Sequence, residues 1–226
     1  MTTTRPKLLD LFCGAGGAGE GYHRAGFDVT GVDIAPMPRN PHTFVQADAL
    51  DYVARHGHEY DIIHASPPCQ RYSVANNIHQ RDHPDLIDPV RELLIATGRP
   101  YVIENVPGAP LRDYVQICGL SVGCNVKRHR WFESNLPLLG TTCGSHEGDW
   151  LLVFGHTVLT RGRTVGRAKG GGPSIRRQHV GTDRGREAMG IPWMSRDELS
   201  QAIPPAYTEY IGRQIMTVIQ NRKAAS

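Results

Sequence analysis

The chain has 226 residues, 39% of them hydrophobic and 21% charged, enough to bury one substantial core with a small appendage rather than two full domains. It holds no apolar run of the ~18 residues that span a bilayer, and no apolar stretch follows its Met1-Thr2-Thr3-Thr4-Arg5-Pro6 start, so a cytoplasmic protein without membrane contact is expected. The net charge of +3 is uneven: residues 161–186 carry eight Lys or Arg against one acid, a local +7 that leaves −4 for the rest and points to a polyanionic partner, a solvated basic loop being the alternative.

Residues 7–12, Lys-Leu-Leu-Asp-Leu-Phe, read as a buried first strand. They run into Cys13-Gly14-Ala15-Gly16-Gly17-Ala18-Gly19, where Gly14, Gly16 and Gly19 fit G-x-G-x-x-G and allow close approach of a ligand to the backbone. Asp33 follows Gly14 by 19 residues, at the end of a second strand over residues 29–33, where a carboxylate can hold two ribose hydroxyls. These features permit either a dinucleotide or S-adenosylmethionine. Ala35-Pro36-Met37-Pro38-Arg39-Asn40-Pro41 has three prolines in seven residues, which predicts a loop where a crossover helix would stand, with residues 43–46 as a short third strand.

Residues 60–65 read as a further buried strand, and Pro67 and Pro68 can continue neither ladder nor helix. The turn they force sets Cys69 just past the carboxyl end of a parallel-type strand, the edge where open α/β sheets keep ligands; a small buried core cysteine is the bland alternative. The polar loop after Cys69 has no clear periodicity, and such length beside a reactive residue points to function. Asp88-Pro89 predicts an N-cap and first-turn proline for a helix closed by Gly98. Residues 101–107 form the next apolar strand and bring Glu104 to the edge that holds Cys69, either for use there or to cap the amides of the following turn.

Arg128 and Arg130, two residues apart, predict one face of a strand. Residues 134–184 are irregular and Gly-rich, predicting ribbons or loops packed on the main domain. Ser195-Arg196-Asp197-Glu198 fits a capping box, and a last helix is predicted from near Pro205, with Tyr207, Ile211, Ile215 and Val218 on one face. Five cysteines, an odd number spread along the chain, argue against a disulfide framework. Cys143-Gly144-Ser145-His146 has a ligand-like spacing that Cys118 and Cys124 could complete, but the paired short spacings of zinc modules are missing, so no metal site is expected.

Asp10-Leu11-Phe12-Cys13-Gly14-Ala15-Gly16-Gly17, Ser66-Pro67-Pro68-Cys69-Gln70, Glu104-Asn105-Val106 and the Arg128/Arg130 pair together resemble the cytosine-C5 DNA methyltransferases, of compact prokaryotic or phage type. The resemblance implies an α/β fold: a Rossmann-like S-adenosylmethionine-dependent methyltransferase sheet with helices on both faces and a small irregular target-recognition insertion. It implies a catalytic, cofactor-binding core over residues 1–133, a basic target-recognition region over 134–184 and C-terminal helices over 185–226 that return to the core. The cofactor residues it implies are Phe12, Gly14, Ala15, Gly16, Gly17, Asp33, Ile34, Asp48, Pro68 and, in the last motif, Gln201. For substrate it implies Pro67, Gln70, Ser73 and Asn105; the +7 charge of residues 161–186 is what points to Arg161, Arg163, Arg176 and Arg177 on phosphates. Val126 and Ser200-Gln201 stand where the family has glutamine and Gly-Asn.

In the implied chemistry Cys69 adds to C6 of a flipped cytosine, Glu104 stabilises the ring at N3, Arg128 and Arg130 hold the base and nearby phosphate, and S-adenosylmethionine gives its methyl group to C5. A monomer acting on DNA is expected. An RNA cytosine-C5 methyltransferase is the nearest competitor. An NAD-dependent oxidoreductase would share the Gly-rich turn and Asp33 but gives no account of Cys69 with Glu104, and intact motif residues argue against a catalytically dead DNA-binding relative.

Overall fold

A computed structural model describes residues 4–68, 85–144, 146–154, 157–167 and 173–224. The elements follow in the order β1 (Lys7–Leu11), α1 (Gly17–Ala25), β2 (Asp28–Asp33), β3 (Thr43–Gln46), α2 (Ala49–His56), β4 (Ile62–Ala65), α3 (Ile87–Ala96), β5 (Tyr101–Asn105), β6 (Val115–Cys118), β7 (His129–Ser134), β8 (Leu151–Phe154), β9 (Thr157–Thr160), β10 (Arg163–Arg167), β11 (Pro173–Arg176), α4 (Thr182–Met189), α5 (Arg196–Gln201) and α6 (Pro205–Ala224). Seven strands form one sheet in the order β3-β2-β1-β4-β5-β7-β6. β1 to β5 are parallel where they pair, β7 runs antiparallel to β5, and β6 antiparallel to β7. This is the expected α/β methyltransferase-type sheet.

Alternation along the strands divides the core between the two faces. Leu8, Ile62 and Val102 pack with Tyr22 of α1 and Tyr207, Ile211 and Ile215 of α6. Leu9, Ile63 and Ile103 pack with Val53 of α2 and Val90 and Leu94 of α3. Helices α1 and α6 lie so close that a Cβ on Gly21 would stand 2.1 Å from Thr208 Oγ1. Thr208 Oγ1 donates to the Ala18 carbonyl at 2.8 Å and binds the two helices where they cross.

The chain builds outward from β1 to β3, then returns to place β4 on the other side of β1. That reversal is a topological switch point, and the carboxyl ends of β1, β2, β4 and β5 open on one edge beside it. The proline-rich linker leaves β2 and β3 joined without a helix, as its composition predicts. The capping box forms at Ser195 with Glu198. The α3 N-terminus departs from the sequence prediction: the helix starts at Ile87, whose amide donates to Asp85 Oδ1 at 3.2 Å, so Asp88 lies in the first turn and pairs with Arg91 instead of capping. No helix among the described residues is long and apolar enough to cross a membrane.

Two antiparallel ribbons, β8–β9 and β10–β11, follow the main sheet. Leu151, Val153 and Val158 of the first share the hydrophobic core of α1 and α6, which fastens it to the domain. In the second, Arg163 stands directly opposite Arg176.

The buried guanidinium of Arg91 on α3 donates to both oxygens of Glu133 on β7, at 2.6 and 2.8 Å, and ties the helix to the antiparallel part of the sheet. Breaking such a pair leaves an uncompensated buried charge. Glu133→Ala is therefore expected to lower the urea-measured unfolding free energy by about 3–5 kcal/mol, whereas an unchanged denaturation midpoint would show that the pair carries no net stability.

Candidate active site

The turn after β1 is held in a conformation that few residues tolerate. Phe12 has φ 59°, a left-handed value unusual for an aromatic residue, and Gly14 and Gly16 follow at 49° and 80°. Gly16 is the N-cap of α1, and a Cβ there would stand 2.6 Å from Asn40 Oδ1. Asp33, at the end of β2, secures the turn: Oδ2 accepts from the Gly14 amide and Oδ1 from the Ala35 amide, both at 3.0 Å. Trp193 donates its indole N–H to the Ala15 carbonyl at 2.8 Å, so the C-terminal part of the chain closes on the same turn.

Around it, Ile34 is 71% exposed, an apolar side chain left open at the strand end. Asp48 lies two residues past β3, where Oδ1 caps α2 by accepting from the amides of Leu50 and Asp51 at 2.9 and 3.0 Å. Its second oxygen keeps lone pairs available. Pro68 follows β4 in an exposed position, and Gln201 ends α5, also exposed. Phe12, Ala15, Gly17 and these residues thus come from the ends of β1, β2, β3 and β4 and from the returning C-terminal segment.

Glu104 sits near the end of β5, 4% exposed. Burial raises its pKa above the ordinary carboxylate value, opposed in part by Arg130, by a hydrogen bond from Ser66 and by Arg128. Arg130 Nε lies 3.2 Å from Glu104 Oε1. Ser66 belongs to a buried chain of polar groups that the sequence reading did not single out. Tyr22 Oη lies 3.0 Å from His64 Nδ1, and His64 Nε2 lies 2.9 Å from Ser66 Oγ. Burial alone pushes His64 down to about 3, so the ring is neutral, with one nitrogen accepting and the other donating. A Tyr22 hydroxyl donating to Nδ1 leaves the Nε2 proton for Ser66 and the Ser66 proton for Glu104. The signal was present as a histidine in an otherwise apolar strand. Beside it on β1, Asp10 is pushed up to about 8 by burial, against the lowering effect of the Gly19 amide.

Asn105 and Arg128 take up other contacts than those expected. The buried Asn105 donates from Nδ2 to the Pro67 carbonyl at 3.0 Å and accepts from the Val106 amide at 2.9 Å, which fastens the start of the Pro67-Pro68 turn to β5. Arg128 precedes β7 instead of sharing a strand face with Arg130, and its guanidinium donates to the carbonyls of Ala202 and Ser200 at 2.9 and 2.8 Å. Cys69, Gln70 and Ser73 lie outside the described residues. Cys13, in the turn itself, is no nucleophile: burial, then Asp10 and Asp33, push its thiol far above the usual range. Arg161, Arg163, Arg176 and Arg177 are exposed on and beside the second ribbon. Two arginines directly opposite each other, Arg163 and Arg176, repel without an anion between them.

No family model matches the chain. In sequence it is 33% identical over 131 residues to the type II methyltransferase M.XorII of Xanthomonas oryzae pv. oryzae, covering 50% of this chain and 31% of that protein. It is 30% identical over 123 residues to the type II methyltransferase M.AquIA of a Picosynechococcus species, covering 45% of this chain and 49% of that protein. The chain therefore spans half or less of the length of these relatives. In fold it is similar to the Entamoeba histolytica methyltransferase EhMeth, with a TM-score of 0.64 over 96% of this chain and 99% of that one at 12% identity. Sheet order and fold likeness show a Rossmann-like α/β fold shared with that methyltransferase. In its motifs and over these partial matches, the chain is similar to the type II methyltransferases.

A ring held neutral by burial does not titrate near neutrality. The 15N shifts of His64 are expected to stay constant from about pH 5 to about pH 8, where a free imidazole changes charge. A midpoint near 6.5 would mean that the Tyr22–His64–Ser66 chain is open to water.

Proposed function

We propose that the protein is a DNA cytosine-C5 methyltransferase that uses S-adenosylmethionine and forms a transient bond from Cys69 to C6 of a flipped cytosine. The observation that carries the reading is the buried Glu104, raised in pKa and paired with Arg130, at the edge where Asn105 fastens the turn leading into Cys69.

The residues present fit the cofactor. Among the described residues, no atom beyond the turn's own neighbours lies within 4 Å of where a Cβ on Gly14 would stand, so the turn is open on that side. Asp33 keeps lone pairs beyond its two backbone bonds for ribose hydroxyls, and Ile34 offers an uncovered apolar surface for the adenine. Phe12, Gly14, Ala15, Gly16 and Gly17 would complete the cradle, with Asp48 at the adenine amino group and Pro68 and Gln201 toward the methionine end. Bound there, S-adenosylmethionine supplies an electrophilic methyl group.

Cytosine C5 is too weak a nucleophile until a thiolate adds to C6, and Cys69, next in sequence after Pro68, would supply that thiol. The raised pKa of Glu104 favours its protonated form, which can donate to N3 as the sulfur adds and negative charge develops on the ring. Arg130 favours the ionised form that Glu104 takes once it gives up its proton. Arg128 acts through the backbone it grips, positioning residues 200–202 against the Gly-rich turn. Loss of the C5 proton and expulsion of Cys69 complete the cycle. The target base must leave the stack to reach this edge.

DNA is favoured as the polymer by the exposed basic ribbon. A two-stranded ribbon fits the major groove, and phosphates would relieve the Arg163–Arg176 repulsion. Residues 134–184 would then form the target-recognition region on a core made by 1–133 and 185–226. The test is transfer of labelled methyl groups to cytosine-containing DNA and to RNA. Incorporation into C5 of DNA cytosine is expected; RNA incorporation alone would move the assignment to RNA, and none into either would refute it. In the same assay Asp33→Ala is expected to weaken cofactor binding at least about tenfold, from lost charge-assisted hydrogen bonds; calorimetry showing unchanged affinity would remove Asp33 from the cofactor site.

A further inference from the structure

Two cysteines and two histidines converge at the edge of the main sheet, away from the Gly-rich turn. Cys118 is the last residue of β6 and His129 the first of β7, and the antiparallel register sets them directly opposite each other. Cys143 and His146, spaced C-x-x-H, come from the loop that follows β7 and folds back over this pair. One ligand atom from each of the four lies within 4.8 Å of all the others. His146 Nε2 is 2.7 Å from Cys143 Sγ and 3.4 Å from Cys118 Sγ, and His129 Nε2 is 3.2 Å from Cys143 Sγ.

We propose that Cys118, His129, Cys143 and His146 form a structural zinc site. Zinc bonds of about 2.3 Å to sulfur and 2.0–2.1 Å to nitrogen place neighbouring ligands of a tetrahedron roughly 3.3–3.8 Å apart. The observed separations reach that geometry by small side-chain movements. Two thiolates and two imidazoles are the donor set that suits tetrahedral zinc, and four protein ligands leave no position for a substrate, as in structural sites. Binding releases the protons of both thiols to solvent, and the two thiolates neutralise the ion.

The surrounding backbone is built to present these side chains. His146 has φ 48°, a left-handed conformation that costs energy in a residue with a side chain, and it turns the ring toward both sulfurs. The Trp150 indole N–H donates to the His146 carbonyl at 2.8 Å. The Thr141 amide donates to the Gln116 carbonyl at 2.9 Å, Thr141 Oγ1 accepts from the Cys118 amide at 2.8 Å, and Ser121 Oγ donates to the Thr142 carbonyl at 2.8 Å. The loop is thus laid along β6 before any metal is considered. An ion here would clamp the loop to the sheet edge and fix His129, which stands between Arg128 and Arg130 at the start of β7. The remaining buried cysteine of this region, Cys124, is not part of the cluster, and its thiol donates to the Ala188 carbonyl at 3.3 Å.

The test uses the full chain without a histidine tag, purified under reducing conditions without chelator from zinc-supplemented cells. Elemental analysis is expected to find about one zinc per chain in the unaltered protein and in Cys124→Ala, and less than about a tenth of that in Cys143→Ser and His146→Ala. Cobalt added to the metal-stripped protein is expected to give the visible bands and thiolate charge-transfer absorption of a tetrahedral site, lost in Cys143→Ser. Absence of zinc together with absence of those bands would overturn the proposal. So would equal zinc content in Cys143→Ser, or a Cys118–Cys143 disulfide found by intact mass in the reduced preparation. None of these readouts depends on methyl transfer.

Discussion

A carboxylate at the end of a strand buried on both faces has to be paired, protonated or used, and Glu104 imposes that condition on everything around it. β5 is buried along its whole length, so no water stands ready to solvate the charge. The antiparallel entry of β7 answers this directly. Because β7 starts at the edge where β5 ends, Arg130 arrives beside Glu104, which a parallel strand at that position would not achieve. Ser66 approaches from the other side, at the end of β4, and is itself held by the neutral His64. The carboxylate therefore keeps its raised pKa without being isolated.

The same edge is locked by residues far away in sequence. Trp193 reaches the Ala15 carbonyl, Thr208 the Ala18 carbonyl, and Arg128 the carbonyls of Ser200 and Ala202, while the Tyr207 hydroxyl donates to the Arg128 carbonyl at 2.8 Å. The Gly-rich turn and the Arg128 segment are consequently fixed by one C-terminal stretch, residues 193–208. The first ribbon beyond the sheet, β8–β9, is anchored through Leu151, Val153 and Val158 in the core of α1 and α6, which would suit the target-recognition role proposed for residues 134–184.

Much of the frame was legible because strong local signals agreed with the tertiary context. Apolar strands, three prolines after β2, the Ser195 capping box and the Tyr207-Ile211-Ile215 face all formed as read. Where two local signals competed, the context decided. Asp85 and Asp88 are three residues apart, and each could cap a helix. Asp88 is drawn to Arg91 and Arg112, and the first helical amide, that of Ile87, donates to Asp85 instead. For the same reason spacing could not settle Arg128, whose partners lie more than 70 residues away. Three of the four proposed metal ligands, Cys118, Cys143 and His146, drew notice in sequence, and strand register brings His129, not Cys124, beside them. The Tyr22–His64–Ser66 chain joins three elements, and no single segment announces it.

In the proposed reaction a thiolate from Cys69 adds to C6 while Glu104 attends N3. Fluorine at C5 cannot leave as the proton does, so DNA carrying 5-fluorocytosine traps the methylated adduct on the enzyme. Peptide mapping of that adduct after denaturing electrophoresis is the most direct measurement. The proposed reaction requires a cofactor-dependent bond at Cys69 that disappears in Cys69→Ser, because a hydroxyl is a far poorer nucleophile near neutral pH. An adduct on Cys13, Cys118, Cys124 or Cys143, or unimpaired methylation by Cys69→Ser, would contradict it.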